Sequence, residues 1–245
     1  MLAVLSSWAQ LSLQPANSFL SLELIHFFDR INSFLTAILW IIIWVILFTI
    51  WNNIFSLFPP TRHFIEIIWI ISPTIILLEI SIPSLAILYI ADDLIDSSLR
   101  LKVNAHQWFW RYEYTDFYSP QNLASLEFDA YMLPENALRT TEFRLLETEN
   151  RPVLPYSRTT QVLISSVDVL HSWTIPRIGI KADANPGRVN HVRLKPHVPG
   201  VFYGQCSEIC GSNHRFMPIC LEFTSAETFM SWIVFNSGRD ELIEY

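Results

Sequence analysis

Hydrophobic and polar positions divide this chain into two unlike parts. Ile31–Trp51 is a run of about twenty residues without a formal charge, long enough to cross a bilayer as a helix. A second apolar run, Ile67–Ile90, is interrupted only by Glu79, Pro73 and Pro83, and membrane helices tolerate such prolines. After Ala91 the pattern changes to short runs rich in β-branched and aromatic residues: Leu99–Ala105, Gln107–Tyr114, Thr160–Ser165, Val189–Leu194, Gly200–Gln205 and Ile219–Thr224. Turn-forming clusters such as Asn185-Pro186-Gly187 and Pro196-His197-Val198-Pro199-Gly200 separate them, a spacing that predicts an antiparallel sandwich or barrel. Thr224-Ser225-Ala226-Glu227, ahead of Phe229, Trp232 and Ile233, reads as a capping box opening a C-terminal helix. The expected architecture is an N-terminal segment (1–30), a two-helix transmembrane hairpin (31–90) and an all-β sandwich with a short C-terminal helix (91–245).

Composition agrees with that division. With 245 residues, 51% of them hydrophobic, and a mean hydropathy of +0.30, the chain is too apolar for an ordinary soluble domain and too short for a many-span transporter. No Lys or Arg precedes Arg30, which argues against an Arg-rich transit peptide and against a signal with a basic first segment. Arg62 and His63 between the spans, set against Arg30 before the first, mildly favour the loop inside and both termini outside; the acidic exit Asp92-Asp93 contributes little. From Ala91 onward there are 14 Lys/Arg and 19 Asp/Glu, a net of −5 with no basic stripe, so nucleic acid is not an expected partner. An acidic surface suits a basic protein partner through electrostatic steering, although ordinary solubility charge has the same composition.

The densest chemistry lies between Cys206 and Met217: Cys206-Ser207-Glu208-Ile209-Cys210-Gly211-Ser212-Asn213-His214-Arg215-Phe216-Met217. Two thiols, an imidazole and a thioether in one loop form a soft donor set of the kind that selects copper. A mononuclear copper loop needs one Cys; a second, four residues on, offers a second bridging thiolate and hence a binuclear centre. One more imidazole is needed, and His171 in Val169-Leu170-His171-Ser172-Trp173 is the best candidate. Two other readings stay open. Zinc could take Cys206, Cys210 and His214 with one outside ligand, but has no use for Met217. A Cys206–Cys210 disulfide is sterically possible, though so short a loop gains little from one. Cys220, in the apolar run Ile219-Cys220-Leu221, reads as a buried core thiol.

The block His171-Ser172-Trp173, Asp183 and Pro186-Gly187-Arg188, followed by Tyr203-Gly204-Gln205-Cys206-Ser207-Glu208-Ile209-Cys210-Gly211-Ser212-Asn213-His214, closely resembles the subunit II family of cytochrome c oxidase. The two spans, His106-Gln107-Trp108-Phe109-Trp110 and Phe128-Asp129-Ala130-Tyr131-Met132-Leu133-Pro134 extend the resemblance over nearly the whole chain. It implies a cupredoxin fold and a CuA centre of two copper ions, bridged by Cys206 and Cys210. His171 and His214 would each bind one metal, Met217 would be a weak ligand, and the Glu208 carbonyl would complete the set. The Glu208 carboxylate would reach a Mg2+ shared with subunit I, a hard cation that prefers oxygen. Trp108 would be the port through which electrons arrive from cytochrome c, and Glu113, Asp116 and Asp168 the carboxylates that dock its basic face. Glu66 would lie at the mouth of a proton-uptake path.

The family's task is to pass electrons from cytochrome c to haem a in subunit I, where dioxygen is reduced to water and protons are pumped. The same resemblance implies further oxidase subunits and membrane lipid as partners. It also implies a place in the mitochondrial inner membrane with the copper domain facing the intermembrane space, a bacterial plasma membrane being the alternative. A quinol-oxidase subunit II would keep the spans and the sandwich but lack the copper ligands, all of which are present here. Read from the residues alone, Trp108 belongs to an aromatic stripe with Trp110, Tyr112 and Tyr114 on one strand face. Glu79 departs from the family's apolar mid-span pattern and, in lipid, demands a partner.

Overall fold

The computed structural model describes residues 9–52, 63–92, 97, 99–117 and 126–237. Arg62 and Asp93 lie outside the described residues. Two compact units emerge: Glu23–Ile90, and a second comprising Ala91–Tyr245 together with the first residues up to Leu22.

Two long apolar helices come first, α1 (Phe19–Trp51) and α2 (His63–Asp92), of 33 and 30 residues. Both exceed the charge-free runs, because freedom from charge marks membrane depth rather than helix length. Helix α1 starts twelve residues ahead of Ile31, where the Ser18 hydroxyl accepts the Ser21 N–H at 2.9 Å. Pro73 and Pro83 sit inside α2 without ending it, and the Thr74 and Ser81 hydroxyls bond back to the Ile70 and Leu77 carbonyls. Glu79 is exposed on α2, with no ion-pair partner among the described residues.

The second unit is a β-sandwich. One sheet has the order β3 (Leu126–Ala130), β2 (Phe109–Tyr114), β1 (Leu99–His106), β5 (Thr160–Ser166), β8 (Asn190–Leu194). The other elements are a three-stranded sheet, β4 (Val153–Pro155), β10 (Pro218–Thr224), β9 (Gly200–Gln205), and a ribbon of β6 (His171–Ile175) and β7 (Ile180–Ala184). Alternation builds the core. Leu101, Val103, Ala105, Val162 and Ile164 point inward from β1 and β5 and meet Ile219, Leu221 and Phe223 of β10. Helix α3 (Ala226–Ser237) closes one side with Phe229 and Ile233.

Three expectations change in detail. The run Gln107–Tyr114 is not one strand: β1 continues to His106, Gln107 and Trp108 form the turn, and β2 starts at Phe109. Trp110, Tyr112 and Tyr114 do share one fully buried face, but Trp108 is not part of it. The cap of α3 is Ser225, whose hydroxyl accepts the Thr228 N–H at 3.2 Å; Thr224 and Glu227, the pair the pattern suggested, are not the capping residues. Strands β3, β4, β6 and β7 carried no clear alternation, and tertiary pairing makes them.

Candidate metal centre

The cluster forms where two strand ends meet. His171 opens β6 and Cys206 follows β9, and the close approach of these strands depends on Gly204: a Cβ there would lie 1.8 Å from the Thr174 carbonyl oxygen. Cys206 N–H donates to the Met217 carbonyl at 3.1 Å, closing the loop at its base, and Ser207 N–H donates to the Ser172 carbonyl at 3.0 Å. Inside the loop a short 3-10 turn, His214–Phe216, brings the imidazole back over the cysteines.

Six donors converge. Cys206 Sγ lies 4.0 Å from Cys210 Sγ, 3.8 Å from His171 Nδ1 and 3.4 Å from the Glu208 carbonyl oxygen. Cys210 Sγ lies 3.5 Å from His214 Nδ1 and 3.9 Å from Met217 Sδ. Metal bonds of about 2.0 Å to nitrogen and about 2.3 Å to sulfur put neighbouring ligand atoms about 3.5 Å apart around one ion, so these spacings fit ligands that share metal. A disulfide is excluded in this geometry: its sulfurs would stand about 2.05 Å apart, and all three cysteines are free. Met217, fully buried with its sulfur turned to Cys210, leaves zinc without an account of the thioether.

Electrostatics favour a bound cation. Burial works against ionising Cys206, but the bond with His171 and the neighbouring hydrogen bonds outweigh it and hold that thiol below its ordinary value. Cys210 is pushed up, by burial and by the charge on Cys206. One thiolate forms readily, and the second calls for positive charge between the sulfurs. His171 is oriented from behind. Its Nε2 lies 2.9 Å from Asp168 Oδ1, which leaves Nδ1 for the cluster. Burial opposes the charged forms of both partners, yet the bonds to Cys206 and then to Asp168 raise His171, and the bond to His171 with the Val169 and Gln107 N–H groups lowers Asp168 from its usual value.

The remaining predicted residues have settings of their own. Trp108 stands beside it, half-buried, with its indole N–H on the Cys210 carbonyl at 3.3 Å. Glu208 contributes its carbonyl, and its carboxylate has no partner among the described residues. Glu113 and Asp116 are not brought to the cluster. They lie at and beyond the other end of β2, paired with Lys102 at 2.7 Å and Arg100 at 3.0 Å. Glu66 sits in the first turn of α2, 3.2 Å from His63, where a carboxylate also suits the helix dipole. Cys220 is a core thiol, as expected, facing the buried Glu147, which accepts hydrogen bonds from Arg151 and the Tyr203 hydroxyl.

Several contacts were not foreseen. Trp110 packs edge-on to His171 at 6.0 Å between ring centroids, and its N–H reaches the Met217 carbonyl at 3.5 Å. Gln107 donates its side-chain N–H to the Cys210 carbonyl at 2.7 Å. The Asp-x-x-His spacing of Asp168 and His171 could have signalled their pairing; nothing local singles out Gln107.

Comparison with known proteins agrees with this geometry. Residues 99–224 match the family described as cytochrome c oxidase subunit II, periplasmic domain, and residues 6–87 match its transmembrane domain. Cytochrome c oxidase subunit 2 of Drosophila melanogaster is 44% identical over 234 residues, covering 96% of this chain and 100% of the relative. That of Periplaneta americana is 42% identical over 230 residues, covering 94% and 98%. Among solved structures, the periplasmic domain of cytochrome oxidase subunit II from Bradyrhizobium japonicum aligns with a TM-score of 0.53 at 34% identity, covering 60% of this chain and 98% of that one. That domain has the cupredoxin-like fold, and the two long apolar helices here fit a membrane location. By fold, by donor cluster and by sequence over nearly its whole length, the chain belongs to the cytochrome c oxidase subunit II family.

Proposed function

We propose that this chain is the electron inlet of a cytochrome c oxidase, holding two copper ions between Cys206 and Cys210 in the mitochondrial inner membrane. The convergence of two thiols, two imidazoles, one thioether and one carbonyl at spacings of 3.4–4.0 Å carries the reading. Copper held there would accept one electron at a time from cytochrome c and release it towards haem a in subunit I. The chain's own residues do the rest. Asp168 fixes the His171 ring, and the pairing of β9 with β10 fixes both ends of the Cys206–Met217 loop, so the ligands need move little between redox states. Burial keeps water from the sulfurs.

Trp108, bonded to the Cys210 carbonyl, is the port facing the donor protein, and the acidic surface steers that protein in. The Glu208 carboxylate is free to take a Mg2+ whose other oxygen ligands come from subunit I or from water. Glu66 serves the mouth of a proton-uptake path, with the copper domain in the intermembrane space.

The test is metal content. Cys206→Ser and Cys210→Ser should each abolish the binuclear copper spectrum and oxidase turnover, because a hydroxyl does not replace a bridging thiolate for a soft metal. Met217→Leu should keep copper and shift its potential. Two coppers retained in purified oxidase carrying Cys206→Ser would refute the assignment.

A further inference from the structure

The turn between β1 and β2 reaches both segments that supply donors, and Gln107 makes most of its contacts. Its backbone N–H donates to Asp168 Oδ2 at 2.6 Å, and the other oxygen of that carboxylate lies 2.9 Å from His171 Nε2. Its side-chain N–H donates to the Cys210 carbonyl at 2.7 Å, alongside the longer bond from Trp108 at 3.3 Å. Gly211 makes the approach possible. With φ of +122°, it holds a conformation that side chains disfavour, and a Cβ there would stand 3.1 Å from Trp108 and 3.2 Å from the Gln107 amide nitrogen.

We propose that Gln107 is a positioning residue of the metal centre, clamping the Cys210 and His171 segments together and biasing the centre toward its reduced form. The proposal rests on the copper reading above. Hydrogen bonds to groups just outside a metal's ligands orient those ligands and tune the metal. Gln107 acts on both sides at once, through a backbone bond to the carboxylate that orients His171 and a side-chain bond to the peptide of Cys210. Its N–H dipole points its positive end at the rim of the cluster, which favours the form carrying the extra electron. The competing role for an exposed glutamine is contact with a docked protein, without influence on the metal.

The experiment uses the intact oxidase with Gln107→Met, which keeps length and loses the donor, and Gln107→Lys, which restores an N–H donor. Both leave the backbone bond to Asp168 in place. Copper content, the paramagnetic resonance spectrum of the centre and its midpoint potential are measured alongside turnover. Gln107→Met should retain copper, alter the spectrum and lower the electron affinity by up to about tenfold, which is about 59 mV for one electron. Gln107→Lys should return the potential to the wild-type value or above it. Gly211→Ala, whose Cβ would crowd both donors and make them give by a few tenths of an ångström, should shift the spectrum in the same direction as Gln107→Met.

An unchanged spectrum and potential in Gln107→Met, with only a raised KM for cytochrome c, would make Gln107 a docking residue and overturn the proposal. Copper loss in the Met variant but not in the Lys variant supports the clamp; loss in both overturns it. Wild-type oxidase without copper in this subunit would instead refute the underlying reading.

Discussion

Asp168 shows how much of a side chain's role depends on what it touches. As one acid among many it reads as surface charge, yet its two oxygens are committed to His171 and to the Gln107 N–H. Its charge orients the His171 ring before it can attract a partner. Trp108 makes the same point from the other direction. Removed from the aromatic stripe and set in the turn, it stands over Gly211 with its N–H on Cys210, so its indole is continuous with the cluster through a single hydrogen bond. Trp108→Phe keeps most of the ring area and should cost about 1 kcal/mol or less through the lost hydrogen bond. If the indole is the electron port, stopped-flow reduction of the copper by cytochrome c should slow by more than about tenfold, or about 1.4 kcal/mol of barrier, while association is retained. An unchanged rate with a lowered melting temperature would return Trp108 to a packing role.

Among elements, the pair β6 and β9 decides the site. His171 stands at the start of one and Cys206 just beyond the end of the other, so the gap between these strands sets the Cys206–His171 distance of 3.8 Å. Gly204 keeps the gap closed by presenting no side chain to the Thr174 carbonyl. Gly204→Ala has no room at 1.8 Å and must force the strands apart. The expected cost is at or above the roughly 3 kcal/mol typical of severe overpacking, and copper should be lost with it. Thermal melting and metal analysis of the same preparation check this, and wild-type values for both would contradict the close approach. On the other face of the β9–β10 sheet, the Tyr203 hydroxyl donates to the buried Glu147 carboxylate and ties the segment before β4 to the sandwich, while Arg151 of the same segment pairs with that carboxylate. Breaking such a pair from one side is costly.

For the whole molecule, charge and hydropathy act at long range and bear on partners rather than on folding. Glu113 and Asp116 are half of two ion pairs, so neutralising them uncovers Lys102 and Arg100 and makes the surface more positive by two charges. The double variant Glu113→Gln, Asp116→Asn should weaken cytochrome c association severalfold at low ionic strength. The effect should fade above about 0.1 M salt, where exposed charges are screened within about 10 Å. The copper spectrum should not change, because both acids lie away from the cluster. Steady-state kinetics across a salt series decide it. Wild-type behaviour at low salt would leave these pairs as ordinary solvated charge.

Local sequence determined what depends on covalent neighbours and on period. The apolar runs, the strands with clean alternation and the donor set packed into Cys206–Met217 are all of this kind, and each has its counterpart in the structure, although both helices outrun their apolar stretches and the Gln107–Tyr114 run opens in a turn. The same spacing allowed a disulfide, a zinc site or copper. The folded loop, with sulfurs 4.0 Å apart, excludes the disulfide, and with Met217 turned inward it fits copper better than zinc. His171 is 35 residues from Cys206, and its place beside the sulfur follows from two strands meeting at a glycine rather than from any local signal. The turn at Gln107-Trp108, the commitment of Asp168 and the capping by Ser225 likewise depend on which groups come within hydrogen-bond reach. The chain's chemistry was legible in its sequence because ligand type is a property of residues. Its geometry was not, because distances between remote groups are set by pairing and close packing across the whole domain.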